Sequence, residues 1–353
     1  MQADLSKKDE QFRKFSLNGP MWRVVLYVGF PLALYESLNQ LFKILDTMMA
    51  SHIGASAVSA VAYLSQIMMI SAVGTGLAVG ASIKVSQAYG AGDFMLVKKR
   101  VSTMFAMCGA LGIAILLVLV PFTPEFLRLM NTPEEFIADG STYFRLELFG
   151  MVITFFNNVY IAIERARGNS KRILILNTAV IVVKLGLTAW FVYGLDGGIN
   201  MISCATIISQ SFLLLAACIN MNQKGNAFGF SLRAISIKKE VICPMLTLSF
   251  PVIVERIAFA VGKVIVNSMS TVYGSWTVGA LGISNNIGGI TTNPQNGFQE
   301  GGSSIISQNL GAGRPKRALL AFRWVLYIDM LIGLVIMTAS LLCLNQLAGL
   351  FAG

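Results

Sequence analysis

Near its start, the chain carries a group of ionisable and amide side chains inside an otherwise apolar stretch. Spacings of three and four residues place them on one face of a helix: Glu36, Asn39, Gln40, Lys43, Asp46 and Thr47. An ionisable side chain within a membrane-spanning helix costs about 2.5–3.5 kcal/mol on insertion scales, so this face cannot be turned toward lipid. We expect it to face a wet cleft or other polar groups.

Asp46 is the first candidate in this group for binding an ion or a proton. A carboxylate can alternate between a charged and a neutral form, which lets it take up and release a cation. Sodium is the alternative ligand to a proton at Asp46, and Glu36 and Glu255 are further candidates for ion coupling. A fixed ion pair between Asp46 and Lys43, three residues away, is the competing structural interpretation.

Later apolar stretches supply more polar residues. Arg256 follows Glu36 by 220 residues, so the two are candidates for a gating pair across the cleft. The alternative is a local pair of Arg256 with Glu255 or another neighbour. Glu300 is a candidate for meeting a cationic substrate, or for accepting backbone or Ser303 hydrogen bonds. The full set of candidates for the substrate cleft is Asn39, Gln40, Lys43, Asn177, Lys184, Arg256, Lys263, Asn267 and Glu300.

The composition is that of a polytopic membrane protein. Hydrophobic residues make up 55% and charged residues 12% of the 353, whereas soluble domains carry about 25% charged residues. The net charge of +10 sits in short clusters between apolar runs, which argues against nucleic acid as a partner. A single histidine, and five cysteines without a CxxC pair, argue against a metal site and against an enzyme.

Nine apolar stretches are each near the roughly 20 residues that a bilayer requires. Their approximate limits are 22–50, 56–88, 99–121, 141–164, 172–193, 199–220, 241–271, 277–309 and 319–344. Glycines around Pro294 predict that the eighth span is bent or locally broken. Lys and Arg concentrate in alternate connections, which places the N-terminus in the cytoplasm.

An internal duplication organises these spans. The sequence SQAYGAG at residues 86–92 recurs as SQNLGAG at 307–313, an offset of 221, and Phe30-Pro31 recurs as Phe250-Pro251, an offset of 220. We therefore divide the chain into a cytoplasmic lead-in (1–21), a six-helix lobe (22–220), a cytoplasmic connector (221–240) and a partial lobe of three helices (241–353). The lead-in is expected to be disordered or to lie partly on the membrane surface.

The sequence resembles the multidrug and toxic compound extrusion (MATE) family. The resemblance rests on the order and duplication of several short marks, among them Pro31, Asp46-Thr47, the two GAG sequences and Arg167-Gly168-Asn169. It implies an all-α fold of two six-helix lobes around a central cleft, so this chain resembles a C-terminally truncated member with about nine of twelve spans. Some members carry an acidic residue at the position of Phe259, and here Glu255 lies one turn earlier.

The resemblance also implies a function. It is the export of small cationic amphiphilic compounds by alternating access, coupled to inward flow of H⁺ or Na⁺ and without any other cofactor. The expected location is the plasma membrane, in the bilayer of a bacterial cell. The alternatives are a flippase for lipid-linked precursors from the same superfamily, and an inactive truncated fragment.

Overall fold

The computed structural model describes residues 5–51, 71–129, 134–195, 197–222 and 226–342. Within these residues the chain is all-α. The helices are α1 (Lys7–Asn18), α2 (Met21–Ser51), α3 (Ser71–Ala91), α4 (Phe94–Leu119), α5 (Thr123–Leu129), α6 (Glu134–Ala166), α7 (Ser170–Ala189), α8 (Ile199–Met221), α9 (Lys239–Thr271), α10 (Ser275–Gly311) and α11 (Pro315–Leu342). The side chains of Lys43, Asp46 and Asn267 lie outside the described part.

Six of these helices are long and apolar enough to cross a membrane, namely α4, α6, α7, α8, α9 and α11. Helices α2 and α10 occupy predicted spans as well, but both carry rows of Asn, Gln or charged residues. The eighth span was predicted to be bent or locally broken, and it is not broken, because α10 continues through Pro294 from Ser275 to Gly311; a bend stays a prediction. Its small residues serve close packing instead, as shown below.

The lead-in is also more ordered than expected. Ser6 caps α1 by accepting a hydrogen bond from the Asp9 amide at 3.1 Å, and acidic residues in the first turn suit the helix dipole. Phe12 and Leu17 are buried against the protein rather than laid on lipid. Disorder was therefore the wrong expectation for residues 7–18, and Phe12 and Leu17 are not available to lie on the membrane surface.

The two copies of the repeat pack against each other in a pseudo-two-fold arrangement. Helix α2 of the first copy packs on α10 of the second, the matching pair is α9 on α3, and α3 meets α10 between them. Around this centre, α7 packs on α2, α6 on α3 and α11 on α10. An axis along the membrane normal produces this arrangement when both copies enter the membrane in the same direction.

Candidate functional site

The duplicated sequence motif packs against itself at the centre of the molecule. A Cβ atom added at Gly90 would collide with the backbone carbonyl of Gln308, and one added at Gly311 would collide with the carbonyl of Gln87. These are the same contact made twice, because residues 87 and 90 correspond to 308 and 311. Only glycine allows two helix backbones to approach this closely. We call the contact between the two copies the seam.

Two further layers of the seam repeat the same relation. A Cβ at Gly80 would strike the backbone of Ser249, and its counterpart at Gly301 would lie 3.3 Å from the Cα atom of Gly29. The next layer pairs Gly76 with Ile253 and Gly297 with Ala33. Small residues along α3 and α10 thus fix the distance between the two copies through backbone contact.

Hydrogen bonds from buried side chains hold the seam at one end. The amide of Gln308 donates to the carbonyl oxygen of Ala166 at 2.7 Å, and the hydroxyl of Ser304 donates to that of Arg165 at 3.1 Å. These bonds satisfy carbonyl groups at the C-terminal end of α6, which its own helix leaves free. The second copy therefore completes the hydrogen bonding of the first.

A cluster of charges lies one turn further along the seam. Glu300 on α10 makes ion pairs with Arg165 on α6 and, at 3.6 Å, with Arg256 on α9. The Arg165 side chain is only 6% exposed, so its charge depends on nearby carboxylates such as Glu300. Glu36 on α2 also interacts electrostatically with Arg165. The cavity beside this cluster measures about 20 Å³, little more than one water needs, so the seam is closed here.

The predicted polar face of α2 meets the second copy. Gln40 accepts a hydrogen bond from the side chain of Asn293 on α10 at 2.9 Å, while Asn39 and Glu36 are half-buried on the same helix. Arg256 pairs with Glu300, a partner that the sequence analysis did not name, and its pairing with Glu36 as a gate stays a prediction.

The remaining candidates occupy two other places. Asn177 is buried and donates to the carbonyl of Ile173 in its own helix at 2.8 Å, and Lys184 is half-buried on the same helix, α7. Lys263 lines an open pocket of about 560 Å³ between α9 and α10, together with Phe259. Glu255 is exposed on α9, one residue before Arg256. The structure thus spreads the predicted set over several helices around the seam.

Helix α1 binds the first copy at the end of the molecule where the basic connections meet, which we call the basic side. Arg13 donates to the carbonyls of Tyr89 and Gly90 at 2.9 and 2.8 Å, capping the C-terminal end of α3. Asp9 forms a two-pronged ion pair with Arg167, at 2.9 and 2.8 Å. Burial disfavours the charge on Arg167, yet Glu164 and Asp9 hold the pKa of this guanidinium above its usual value.

The other end of α1 binds the second copy. Arg314 donates to the carbonyl of Leu17 at 2.6 Å, and Arg317 donates to that of Gly19 at 2.8 Å. Both cations also lie at the negative end of the α1 dipole. The segment before the first span therefore joins the two copies across the basic side.

Sequence reasoning missed three features of this region. Arg165 was counted only as a basic residue of a connection, although its place beside an apolar span marked it as a residue that needs a carboxylate partner. The glycine contacts were signalled by the duplicated motif, but a repeat alone does not say that its copies touch. Asp329, an acidic residue inside the ninth span, was not singled out.

These features define a multi-pass, all-α membrane protein built by duplication, with a closed seam between its copies. The chain belongs to the MatE family, whose model matches residues 31–190 and 251–353, two segments that begin at the corresponding Pro31 and Pro251. Members of this family are multidrug efflux transporters and not enzymes.

Curated relatives and solved structures agree with this assignment. The chain is 25% identical over 340 residues to a probable multidrug resistance protein, YoeA, of Bacillus subtilis, covering 94% of this chain and 73% of the relative. It is 23% identical to the multidrug export protein MepA of Staphylococcus aureus, covering 98% of this chain and 76% of the relative.

The fold matches that of a MATE transporter in complex with MaL6, with a TM-score of 0.91 and 22% identity. The match covers 98% of this chain and 76% of the other. It also matches an outward-facing multidrug resistance MATE transporter of the MOP superfamily, with a TM-score of 0.89 and 21% identity. That match covers 99% of this chain and 77% of the other.

Proposed function

We propose that this chain exports small cationic amphiphilic compounds across the plasma membrane by alternating access, driven by inward flow of H⁺ or Na⁺. The observation that carries the proposal is the polar face of α2, which meets α10 of the other copy through Gln40 and Asn293. A polar face directed at the partner copy can line a cleft that both the substrate and the coupling ion reach. The names of YoeA and MepA support drugs as the substrate class.

The basic side is the cytoplasmic side in this proposal, since basic connections favour the cytoplasm. The glycine contacts and the Glu300 cluster then close the path toward the cytoplasm. The units that move are the lobe of residues 22–220 and the partial lobe of 241–353, joined by the connector of 221–240. Opening toward the cytoplasm would separate Gly90 from Gln308 and Glu300 from Arg165.

Asp46 is the proposed coupling carboxylate. An ion and a substrate can drive each other only when each binds the two states of the cleft with different affinity. A carboxylate meets this need because protonation or sodium binding cancels the charge that attracts a cationic drug. One unit of pKa difference between the two states corresponds to about 1.4 kcal/mol of coupling.

The test is transport in proteoliposomes with an imposed proton or sodium gradient. Wild-type protein should accumulate a cationic dye under at least one of the gradients, and Asp46→Asn should abolish the response while leaving membrane insertion intact. Glu240→Gln serves as the matched control, since this carboxylate is exposed in the first turn of α9 and is not a candidate for ion coupling. Accumulation at the wild-type rate in Asp46→Asn would remove Asp46 from the mechanism, and a wild type that responds to neither gradient would overturn ion coupling.

Movement of lipid-linked precursors is the second candidate function. The observation in its favour is the number of cations around the seam and pocket, namely Arg165, Arg256 and Lys263. Such precursors are anionic, so they would meet these cations rather than the carboxylates. Competition by anionic amphiphiles, but not by cationic dyes, in a binding assay would favour this function over drug export.

A further inference from the structure

Asp329 lies near the middle of α11, in a helix that is otherwise strongly apolar. Its surroundings come from α10, where Gln299 hydrogen bonds to the carboxylate and Gln295 donates to the backbone carbonyl of Asp329 at 2.8 Å. The carboxylate oxygen Oδ1 is buried and has no hydrogen-bond partner among the residues that the structure describes. An acidic group inside a span requires such a specific environment, and this one leaves an oxygen open.

The first copy of the repeat shows that this environment is not needed for packing. Helices α4 and α11 begin at corresponding residues, Phe94 and Pro315, so their positions can be matched at the offset of 221. The residues that correspond to Gln295, Gln299 and Asp329 are Gly74, Ala78 and Cys108. All three are small or apolar in the first copy, where Cys108 is fully buried. All three are polar in the second copy, which points to a ligand shared by the three side chains.

We propose that Asp329, Gln299 and Gln295 form a proton-binding site within the second copy, separate from Asp46 and from the Glu300 cluster. A charged carboxylate with an unpartnered oxygen is costly in an apolar helix, and a proton bound at Oδ1 removes the charge. The amide of Gln299 can then serve the other oxygen as a donor. No bond other than O–H is formed or broken, and the proton returns to water when the site opens.

The charges near the site do not replace the proton. The titratable residues on the two helices that pack on α11 are Glu300 on α10 and Arg23, Tyr27, Tyr35, Glu36, Lys43 and Asp46 on α2. Glu300 is paired with Arg165 and Arg256. The Asp329 carboxylate is instead surrounded by protein and hydrogen bonded by Gln299.

The site is connected to the seam through adjacent residues of one helix. Gln299 bonds to Asp329, and Glu300, the next residue of α10, pairs with Arg165 across the seam. A proton that arrives at or leaves Asp329 changes the bond made by Gln299 and so acts on the helix that holds the seam closed. The inference extends the proposed function to a second coupling group and rests on it only for this last step.

Infrared difference spectroscopy of the purified protein, titrated with acid and base, tests the site without transport. The wild type should show the carbonyl stretch of a protonated, buried carboxylic acid, which disappears as the pH rises. Asp329→Asn should lose this band, Asp329→Glu should keep one, and Glu300→Gln, which alters a neighbouring carboxylate, should leave it in place. Gln299→Leu should move the midpoint by about one pH unit, a tenfold change in proton affinity, because one hydrogen bond to the carboxylate is lost.

Two results would overturn the proposal. One is a titration of Asp329→Asn identical to that of the wild type, provided that both unfold at the same temperature. The other is loss of the band on addition of NaCl but not of choline chloride at constant pH, which would assign a sodium ion in place of the proton. Because neither readout involves a substrate, failure of ion-driven export at Asp46 would leave this test unaffected.

Discussion

Helices α2 to α4 of the first copy and α9 to α11 of the second can be compared residue by residue at the offsets of 220 and 221. At the glycine layers of the seam, matching residues make the same backbone contact, as Gly90 against Gln308 and Gly311 against Gln87 show. Lys43 is matched by Lys263, but the carboxylates of the first copy are not matched, with Arg256 in place of Glu36 and Val266 in place of Asp46. The copies have therefore kept the glycines that set the distance between helices and differ at the two carboxylates that we propose for ion coupling.

This difference indicates a division of labour. A seam made of matched glycines can close only one way, because backbone contact leaves no alternative packing. The charges and amides are then free to differ between the copies without altering the closed geometry. Changes in the shared seam should therefore have the largest effects, and loss of one unmatched amide pair the smallest.

The largest effect is expected at the glycine layer nearest the basic side. Replacing Gly311 or Gly90 by Leu places a side chain into a backbone carbonyl of the other copy. Because that carbonyl cannot move aside as a side chain can, we expect a cost above the about 1–3 kcal/mol that is typical of overpacking. We expect both variants to lose export and to unfold at a lower temperature, by similar amounts. Thermal unfolding in detergent and transport in proteoliposomes measure this.

Gly186→Leu is the control for the glycine variants, because no described atom outside its own helix backbone lies within 4 Å of a Cβ at Gly186. It should be close to neutral. A clear loss of stability in only one of the two seam variants would contradict the symmetry of the contact.

The second effect concerns the buried charge at the seam. Glu300→Gln removes the carboxylate from Arg165. Removing one partner of a buried ion pair costs about 3–5 kcal/mol of folding free energy. We expect the lower end of this range because Glu300 is 28% exposed. Chemical unfolding should show the loss, and Arg165→Leu combined with Glu300→Leu should recover part of it. Glu255→Gln is the matched control, and equal losses in the two Gln variants would refute a special role for Glu300.

A third effect tests the hold of α1 on the first copy. Asp9→Asn should weaken the ion pair with Arg167, whose partners are 5% and 11% exposed, and lower stability by about 2 kcal/mol. Glu10→Gln, one residue away, removes a surface pair with Lys14 and should have little effect. If the two variants were equally stable, α1 would be no more than a surface helix.

Much of this fold could be predicted from the sequence. Apolar runs gave the helices and the duplication gave two copies with one direction through the membrane. The contacts between copies could not be predicted, because SQAYGAG and SQNLGAG do not say which surfaces meet. The role of α1 was hidden for a related reason: its polar composition is that of a disordered segment, and the partners that order it, Arg167 and Arg317, lie far away in sequence. Asp46, the leading candidate, lies outside the described side chains.

The smallest effect is expected at the hydrogen bond between Asn293 and Gln40. The matching pair in the other half of the seam would be Ala72 and Ala260, so this bond exists on one side of the pseudo-two-fold axis only. Asn293→Ala should cost about 0.5–1.5 kcal/mol, the net worth of a neutral hydrogen bond. Thr292→Ala is the control, because that hydroxyl bonds only to Gly288 of its own helix among the described residues.

If the pair also lines the cleft, Asn293→Ala should change the affinity for a cationic dye while Thr292→Ala does not, and fluorescence titration measures both. Equal dye affinities with an unequal stability would assign Gln40 and Asn293 to packing alone and would leave the polar face of α2 without its main structural support as a cleft surface.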